Sequence, residues 1–413
     1  MPLGNQLAKG LGKIRWFPDG EPAVPDETIQ AETGVAGLER DGMEFSNGGR
    51  IVYNLKVYVY AICKNEEQHI APWVESMREA DGIYVLDTGS DDSSVALLSG
   101  MNVVVKSEKI SPWRFDVARN RSLAMVPEDA DLCVCTDMDE IFLPGWREKM
   151  EEAWLAGAHR LKYRYVWSFN KDGSEGCVFW ISKAHARKGF VWTHPVHEVL
   201  EWKRSEPCIE REANGVQLEH YPDPTKSRGQ YLPLLELSVL EKPDDDRNMH
   251  YLGREYMFHG MWEKCEETLL RHLALPNATW PDERSASMRF LARAVEHQGR
   301  PLEEAFLWLL KAAAEAPSMR EPWIELSEFE QKQENWAGSL FFAEKALAIQ
   351  HRSRSYINEA ASWAEKPYDL AAIAAYYLKD YDKAKAYGRK ALEYDPENAR
   401  LQKNMEFYQA KGD

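Results

Sequence analysis

No stretch of this chain approaches the ~18 uninterrupted apolar residues of a membrane-spanning helix, which excludes an integral helical membrane protein. Six cysteines in 413 residues are too few for a disulfide scaffold, so stability must come from an apolar core. Met1 to Gly20 carry Lys9, Lys13 and Arg15 but no apolar run of signal-peptide length. The expected location is therefore a reducing cytoplasm, with no membrane as partner. Positive charge is also in short supply. The 51 Lys and Arg face 67 Asp and Glu, a net charge of -16, which argues against a surface coated with nucleic acid. Finally, no glycine-rich phosphate loop follows the first strong strand signal. Cys63-Lys64-Asn65-Glu66 stands there instead, which speaks against a nucleotidyltransferase.

What is present is unevenly spread. Residues 1–150 hold 15 basic and 25 acidic groups, whereas 151–200 hold 7 basic and 5 acidic. The second window also carries Trp154, Tyr163, Tyr165, Trp167, Phe169, Phe179, Trp180, Phe190 and Trp192. Interleaved basic and aromatic residues suit a sugar- or base-binding surface. They equally suit strand residues in a core beside solvated Lys and Arg.

The chain changes character twice. Residues 1–50 contain many Gly, Pro and acidic residues with little periodicity, and are expected to form an extension. From 51 to about 240, apolar runs alternate with amphipathic ones. Val57 to Cys63 predicts a strand, 67–80 a helix, Ile83 to Leu86 a strand ending at Asp87, and Ser93 to Gly100 a helix. Met101 to Val105 and Asp131 to Thr136 predict two further strands. Cys133 and Cys135 alternate along the last of these, as buried thiols would. Strands alternating with helices predict a parallel α/β sheet, with a ligand at the carboxyl ends of its strands.

From about residue 241 to 413 the pattern is helical. Asp380-Tyr381-Asp382-Lys383-Ala384, then Ala391 and Pro396, match the second helix of a tetratricopeptide repeat, whose period is ~34 residues. Trp323, Leu326, Ser327, Trp336, Ala343 and Ala346 repeat the template, and Leu252-Gly253-Arg254-Glu255-Tyr256 matches its L-G-x-x-Y element. Leu291-Ala292, Ala305 and Pro317 give a looser copy. Such arrays present surfaces to partners or brace a neighbour.

Two acidic clusters sit at predicted strand ends. Asp137-Met138-Asp139-Glu140 follows Leu132-Cys133-Val134-Cys135. Carboxylates gathered at a strand end repel one another, and a hard divalent cation such as Mg²⁺ or Mn²⁺ would offset that cost. The second cluster, Asp87-Thr88-Gly89-Ser90-Asp91-Asp92, also lies between strand and helix. Its structural alternative is an Asx-rich turn with a helix cap.

Taken in order, Ile62-Cys63-Lys64-Asn65-Glu66-Glu67, Asp87-Thr88-Gly89-Ser90, Ala118-Arg119-Asn120 and Asp137-Met138-Asp139-Glu140 resemble the motifs of family 2 glycosyltransferases. The resemblance covers roughly residues 55–225. It implies a GT-A, Rossmann-like α/β nucleotide-sugar domain joined to an all-α tetratricopeptide-like domain. It also implies a UDP-sugar donor (UDP-glucose first), a Mn²⁺ or Mg²⁺ ion, and inversion at the anomeric carbon. On this resemblance Lys64, Asn65, Glu66 and Asp87 hold the nucleoside. Asp139 meets the metal, Asp137 faces the ribose or the ion, and Arg119 meets the diphosphate or donor sugar. Thr88 stands where the family usually has a second Asp.

Transfer also needs a base near the acceptor hydroxyl. Trp192-Thr193-His194-Pro195-Val196-His197-Glu198 offers Glu198 as base, with Asp172 and Asp223 behind it. His197, or His194, is the candidate third metal ligand, and both can equally be structural histidines. His220-Tyr221-Pro222-Asp223 is a candidate closing segment. The layout of such a domain followed by helical repeats resembles glycosyltransferases encoded by tailed phages. The expected acceptor is thus a hydroxymethylated pyrimidine in DNA, for which the basic, aromatic window would suit an extruded base. A protein or glycan held by the repeats is the alternative acceptor, and a non-catalytic repeat-based binding protein the alternative function.

Overall fold

The structure is a computed structural model and describes residues 43–45, 51–53, 55–170, 173–224 and 229–410. Strands β1 (Met43–Phe45) and β2 (Ile51–Tyr53) pair antiparallel in a unit of their own. The rest of the extension expected over 1–50 lies outside the described residues. Residues 54–413 form one compact unit.

Its first part follows the predicted alternation. β3 (Val57–Cys63), α1 (Glu67–Ser76), β4 (Gly82–Asp87), α2 (Ser94–Gly100), β5 (Val104–Ser107), α3 (Phe115–Leu123) and β6 (Leu132–Cys135) come in that order. β3 is parallel to β4 and β6, and β4 to β5. The predicted third strand begins three residues late. Asn102 takes a left-handed conformation, φ 60°, and turns the chain before Val104.

The all-parallel expectation fails beyond β6. Next come β7 (Glu140–Phe142), α4 (Trp146–Leu155), β8 (Arg160–Val166), β9 (Val178–His185), β10 (Phe190–Thr193), β11 (Val199–Trp202) and β12 (Glu210–His220). The eight-stranded sheet runs β5-β4-β3-β6-β9-β8-β12-β7. β9 is antiparallel to β6 and β8, β12 is parallel to β8, and β7 is antiparallel to β12. α4 joins β7 to β8, while β9 follows β8 with no helix between them among the described residues, since antiparallel neighbours need no long crossover.

The central strands are buried on both faces. Val57, Val59, Ala61, Leu132 and Val134 face one core with Trp73, Trp146 and Met150. Tyr60, Cys133 and Cys135 face the other, with Phe190, Trp192 and Leu200. The period of two explains why these strands read as near-continuous apolar runs. Each such fully buried aliphatic side chain stabilises the fold by about 1.5–3 kcal/mol. Cys133 and Cys135 are fully buried free thiols, as expected, and burial pushes them up to about 12 and about 11.

The helices begin before residue 241. α5 (Tyr231–Glu241) leads into α6 (Asp246–Phe258), α7 (Trp262–Ala274), α8 (Pro281–His297), α9 (Leu302–Glu315), α10 (Glu321–Lys332) and α11 (Trp336–Ala348). A connection containing one 3₁₀ turn, Ala360–Trp363, precedes α12 (Lys366–Tyr377), α13 (Tyr381–Tyr394) and α14 (Ala399–Ala410). Short loops make consecutive helices antiparallel neighbours. The repeat signals fall where packing needs them. Asn335 and Asp380 cap α11 and α13 through the Gly338 and Lys383 N–H groups. A Cβ on Gly253 would come within 2.3 Å of Leu269 Cδ2, so this glycine lets α6 and α7 approach. Ala343, Ala346, Ala384 and Ala391 are fully buried at helix contacts.

The two parts share one core across residue 240. Trp113, Phe115 and Val196 pack with Leu234, Leu235, Met249, Tyr251 and Leu291. The segment between α11 and α12 also reaches the sheet. Arg354 pairs with Glu212 at 2.7 Å, and Tyr356 lies edge-on to Phe179 at 6.4 Å between ring centroids.

Candidate functional site at the carboxyl edge of the sheet

The pairing scheme brings the carboxyl ends of β3, β4, β6, β8 and β12 to one edge. The loops that follow them carry most of the expected residues. After β3, Asn65 adopts φ 54° and exchanges two hydrogen bonds with Asp91, donating Nδ2 at 2.6 Å and accepting the Asp91 N–H at 2.9 Å. Lys64 beside it is exposed, and the Glu66 N–H donates to Ser94 Oγ at 2.8 Å. After β4, buried Asp87 accepts the Gly89 and Ser90 N–H groups at 3.3 and 3.0 Å. Gly89 sits at φ 110°, where a side chain would strain the backbone. Thr88 turns inward and donates its hydroxyl to the Cys63 carbonyl. The second cluster is thus an Asx turn, and it latches two strand-end loops together.

After β6 the charges interlock. Asp137 Oδ1 accepts from Arg119 at 2.8 Å and Oδ2 from Lys183 at 3.0 Å. Lys183 also donates to Glu140 Oε1 at 2.9 Å, where the Tyr165 hydroxyl joins at 2.8 Å. Glu140 Oε2 takes the Asp137 N–H at 2.8 Å. Burial works to raise the Asp137 carboxyl, but the Arg119 and Lys183 charges hold it well below the usual carboxylate range. Burial raises Glu140 against the pull of Lys183. Lys183 itself stays charged, because Asp137 and Glu140 outweigh its desolvation. Arg119, buried in α3, also donates to Glu198 through Nε and to Cys135 Sγ through Nη1. Both Asp137 oxygens and all three guanidinium nitrogens thus have partners within the protein, and Arg119 bridges Asp137 and Glu198.

Asp139 points the other way, to the end of β12. His220 Nε2 lies 3.3 Å from Asp139 Oδ2, and its Nδ1 donates to the Trp167 carbonyl at 2.9 Å. Burial opposes the charged imidazole, but the Asp139 contact raises it overall. His197, the expected metal partner, lies elsewhere. It stacks on Tyr251 of α6 at 4.0 Å, and its carbonyl accepts from Arg247 at 2.6 Å. His194 faces Asn248 at 2.7 Å and Asp245 at 3.3 Å. Both belong to the contact between sheet and helices. Of the candidate bases, Glu198 is held by Arg119, and Asp223 accepts from Gln68 at 2.8 Å at the start of α1. Asp172 lies outside the described residues.

Sequence reasoning missed Lys183 and the pairing of His220. Lys183 was detectable as the one charged residue of its apolar strand Val-Phe-Trp-Ile-Ser-Lys-Ala-His. His220 had no local signal, because only the pairing of β12 with β7 sets it beside Asp139.

The basic, aromatic window resolves into core and ion pairs. Tyr163, Tyr165, Phe190 and Trp192 are buried. Arg160 pairs with Glu210, Arg164 with Glu175, Arg187 with Glu128, and Lys183 with Asp137. Most of its described cations are thus paired with carboxylates, which does not favour the positive face expected for DNA.

No family model matches the chain, and no curated protein does. Similar solved structures cover its helical part. PilF of Pseudomonas aeruginosa is 14% identical over 43% of this chain and 72% of its own, with a TM-score of 0.34. A MamA structure is 18% identical over 44% of this chain and 99% of its own, at 0.33. A TPR repeat-containing protein of Cytophaga hutchinsonii is 16% identical over 44% of this chain and 66% of its own, at 0.36. Likeness at this level carries no argument about function. Among the described residues, no helix is long and apolar enough to cross a membrane.

Proposed function

We propose that this chain is a metal-dependent, inverting glycosyltransferase that moves a hexose from a UDP-sugar to an acceptor hydroxyl. The observation that carries the reading is the meeting of Asp139 and His220 at the carboxyl edge of the sheet, beside the Arg119–Asp137–Lys183 cluster. The parallel run β5-β4-β3-β6 followed by an antiparallel half supports a GT-A arrangement. Ligands of open α/β sheets occupy this edge.

Among the described residues, no three His, Cys, Asp or Glu side chains form a cation cage. The donor set still fits a Mn²⁺ or Mg²⁺ ion that shares substrate oxygens, since such ions use one or two carboxylates plus phosphate. Asp139 and His220 would hold it. The His220 Nδ1 bond to a backbone carbonyl is the support that orients a metal-binding imidazole. When bound, the ion would act as a Lewis acid toward the leaving diphosphate.

This chain's residues do the rest. The loop latched by Asn65 and Asp91, with Lys64, Glu66 and the Asp87 turn, forms the nucleoside end. Asp137 stays ionised beside it, with 35% of its side chain exposed toward the edge. Glu198 is occupied by Arg119. Of the two described candidates, Asp223, which accepts from the neutral Gln68 amide, is the carboxylate that takes the acceptor proton, as the hydroxyl oxygen bonds to the anomeric carbon and the bond from that carbon to the diphosphate breaks.

Labelled UDP-glucose incubated with Mn²⁺ tests the reading. Release or transfer of the sugar should require the ion and fall by roughly two orders of magnitude in Asp139→Ala and His220→Ala. Full turnover in EDTA, or no UDP binding by calorimetry, would overturn it.

A further inference from the structure

We infer that the acceptor is a carbohydrate, and that Trp167 and Tyr221 form the platform on which its sugar ring lies. This deepens the glycosyltransferase reading and rests on it. Trp167 directly follows β8 and Tyr221 directly follows β12, so both emerge at the edge that carries Asp139. They remain 39% and 46% exposed, in contrast to the buried Tyr163 and Tyr165 on the preceding strand. The Tyr221 N–H donates to the Asp139 carbonyl at 2.8 Å, which ties the ring to the chain of the candidate metal ligand. On one side Tyr221 stacks on Phe169 at 5.4 Å and 17°. Trp167 lies 5.7 Å from the His220 ring.

Aromatic faces take the apolar C–H face of a pyranose or the face of a nucleobase equally well. The surrounding charge separates the two. Glu219 accepts the Tyr221 hydroxyl at 2.7 Å, Asp223 follows two residues later, and Asp139 lies across the backbone bond. The nearby cation Arg164 is spent on Glu175. Among the described residues around Tyr221, a phosphodiester chain would meet more carboxylate than open cation, and its binding depends on the reverse. A neutral polyol instead offers hydroxyl donors that carboxylates accept, a charge-assisted bond about twice as strong as a neutral one.

Saturation-transfer NMR on the full chain, with and without UDP and Mn²⁺, tests the platform with three probes. They are methyl β-glucopyranoside, the deoxynucleoside of hydroxymethylcytosine, and a serine-containing peptide. The sugar should bind, and Trp167→Ala and Tyr221→Ala should each weaken it about five- to tenfold. Both side chains are exposed, so thermal melting and UDP calorimetry should match the parent and certify folding. Sugar binding unchanged in both variants, or preference for the nucleoside or the peptide at the same residues, would overturn the inference. Sugar binding that depends on Trp167 and Tyr221 without any UDP binding would keep the platform and remove the glycosyltransferase reading. UDP binding without such a sugar site would do the reverse.

Discussion

At the carboxyl edge of the sheet, Asp137, Glu140, Lys183 and Arg119 neutralise one another, while Asp139 and His220 beside them keep 21% and 12% of their side chains exposed. The helical array also buries polar groups. Arg289 is 1% exposed and pairs with Glu325 and Glu359. A second chain runs from His250 through Ser287 and His272 to Glu283 and the Tyr356 hydroxyl, with Ser287 and His272 fully buried. The Glu283–His272–Ser287 order resembles that of a hydrolase, yet no substrate can reach Ser287. Buried polar groups therefore do not mark a site by themselves. The difference is that the first network ends on a strand edge beside exposed aromatics, whereas the chain from His250 to Glu283 ends at Tyr356, stacked on Tyr251.

That contrast can be broken by mutation. The largest effect is expected at Arg289. Arg289→Ala removes the buried guanidinium that bridges Glu325 and Glu359 and leaves Glu325 with the partly exposed Arg293 alone, which should cost about 3 kcal/mol. Urea denaturation reads this directly, and UDP affinity of the molecules that remain folded should be unchanged. A loss below about 1 kcal/mol would mean that the array's network is dispensable.

Gly253→Ala should cost about 1–3 kcal/mol, because the new methyl group must push Leu269 aside. The same denaturation experiment measures it. A neutral result would show that α7 shifts freely against α6 and that the L-G-x-x-Y match has no packing basis.

Acid should produce the mildest effect per group. His185 accepts the Tyr60 hydroxyl at 2.7 Å and donates Nδ1–H to the Ala186 carbonyl, a pattern that needs the neutral ring. Desolvation holds His185 down to about 4 and His250 to about 3. The unfolded chain binds these protons below about 6.5 and the folded chain does not. Stability is thus full above that pH and falls as pH drops toward the folded values, by about 1 kcal/mol per histidine for each unit. Melting curves between about pH 7 and about pH 5 check the slope. His220, raised by Asp139, works oppositely, losing its contribution as pH rises. Equal melting across the range would show that neither buried ring resists protonation.

Much of this molecule was legible before folding. Val57 to Cys63 and Leu132 to Cys135 read as strands because both of their faces are apolar. The helical repeat read through its small residues because Ala343, Ala346, Ala384, Ala391 and Gly253 lie where the helices approach closely. The acidic triplet at 137–140 was visible because it directly follows the wholly apolar strand Leu132–Cys135. Less legible was the half of the sheet after β6, where β9 and β7 run antiparallel to their neighbours and β12 returns parallel to β8. Met101 to Val105 also misled, since the turn at Asn102 depends on one left-handed residue.

Period and burial along a short stretch are enough to show most of the strands and helices and the carboxylates at their ends. Their partners come from elements far away along the chain. Arg119 and Lys183 come from α3 and β9 to claim Asp137, and His220 comes from β12 to meet Asp139. His197, closer to Asp139 along the chain, goes to Tyr251 instead. The physical reason is that partnership across a sheet edge is set by strand order and register, and no local pattern encodes which distant strand will lie alongside.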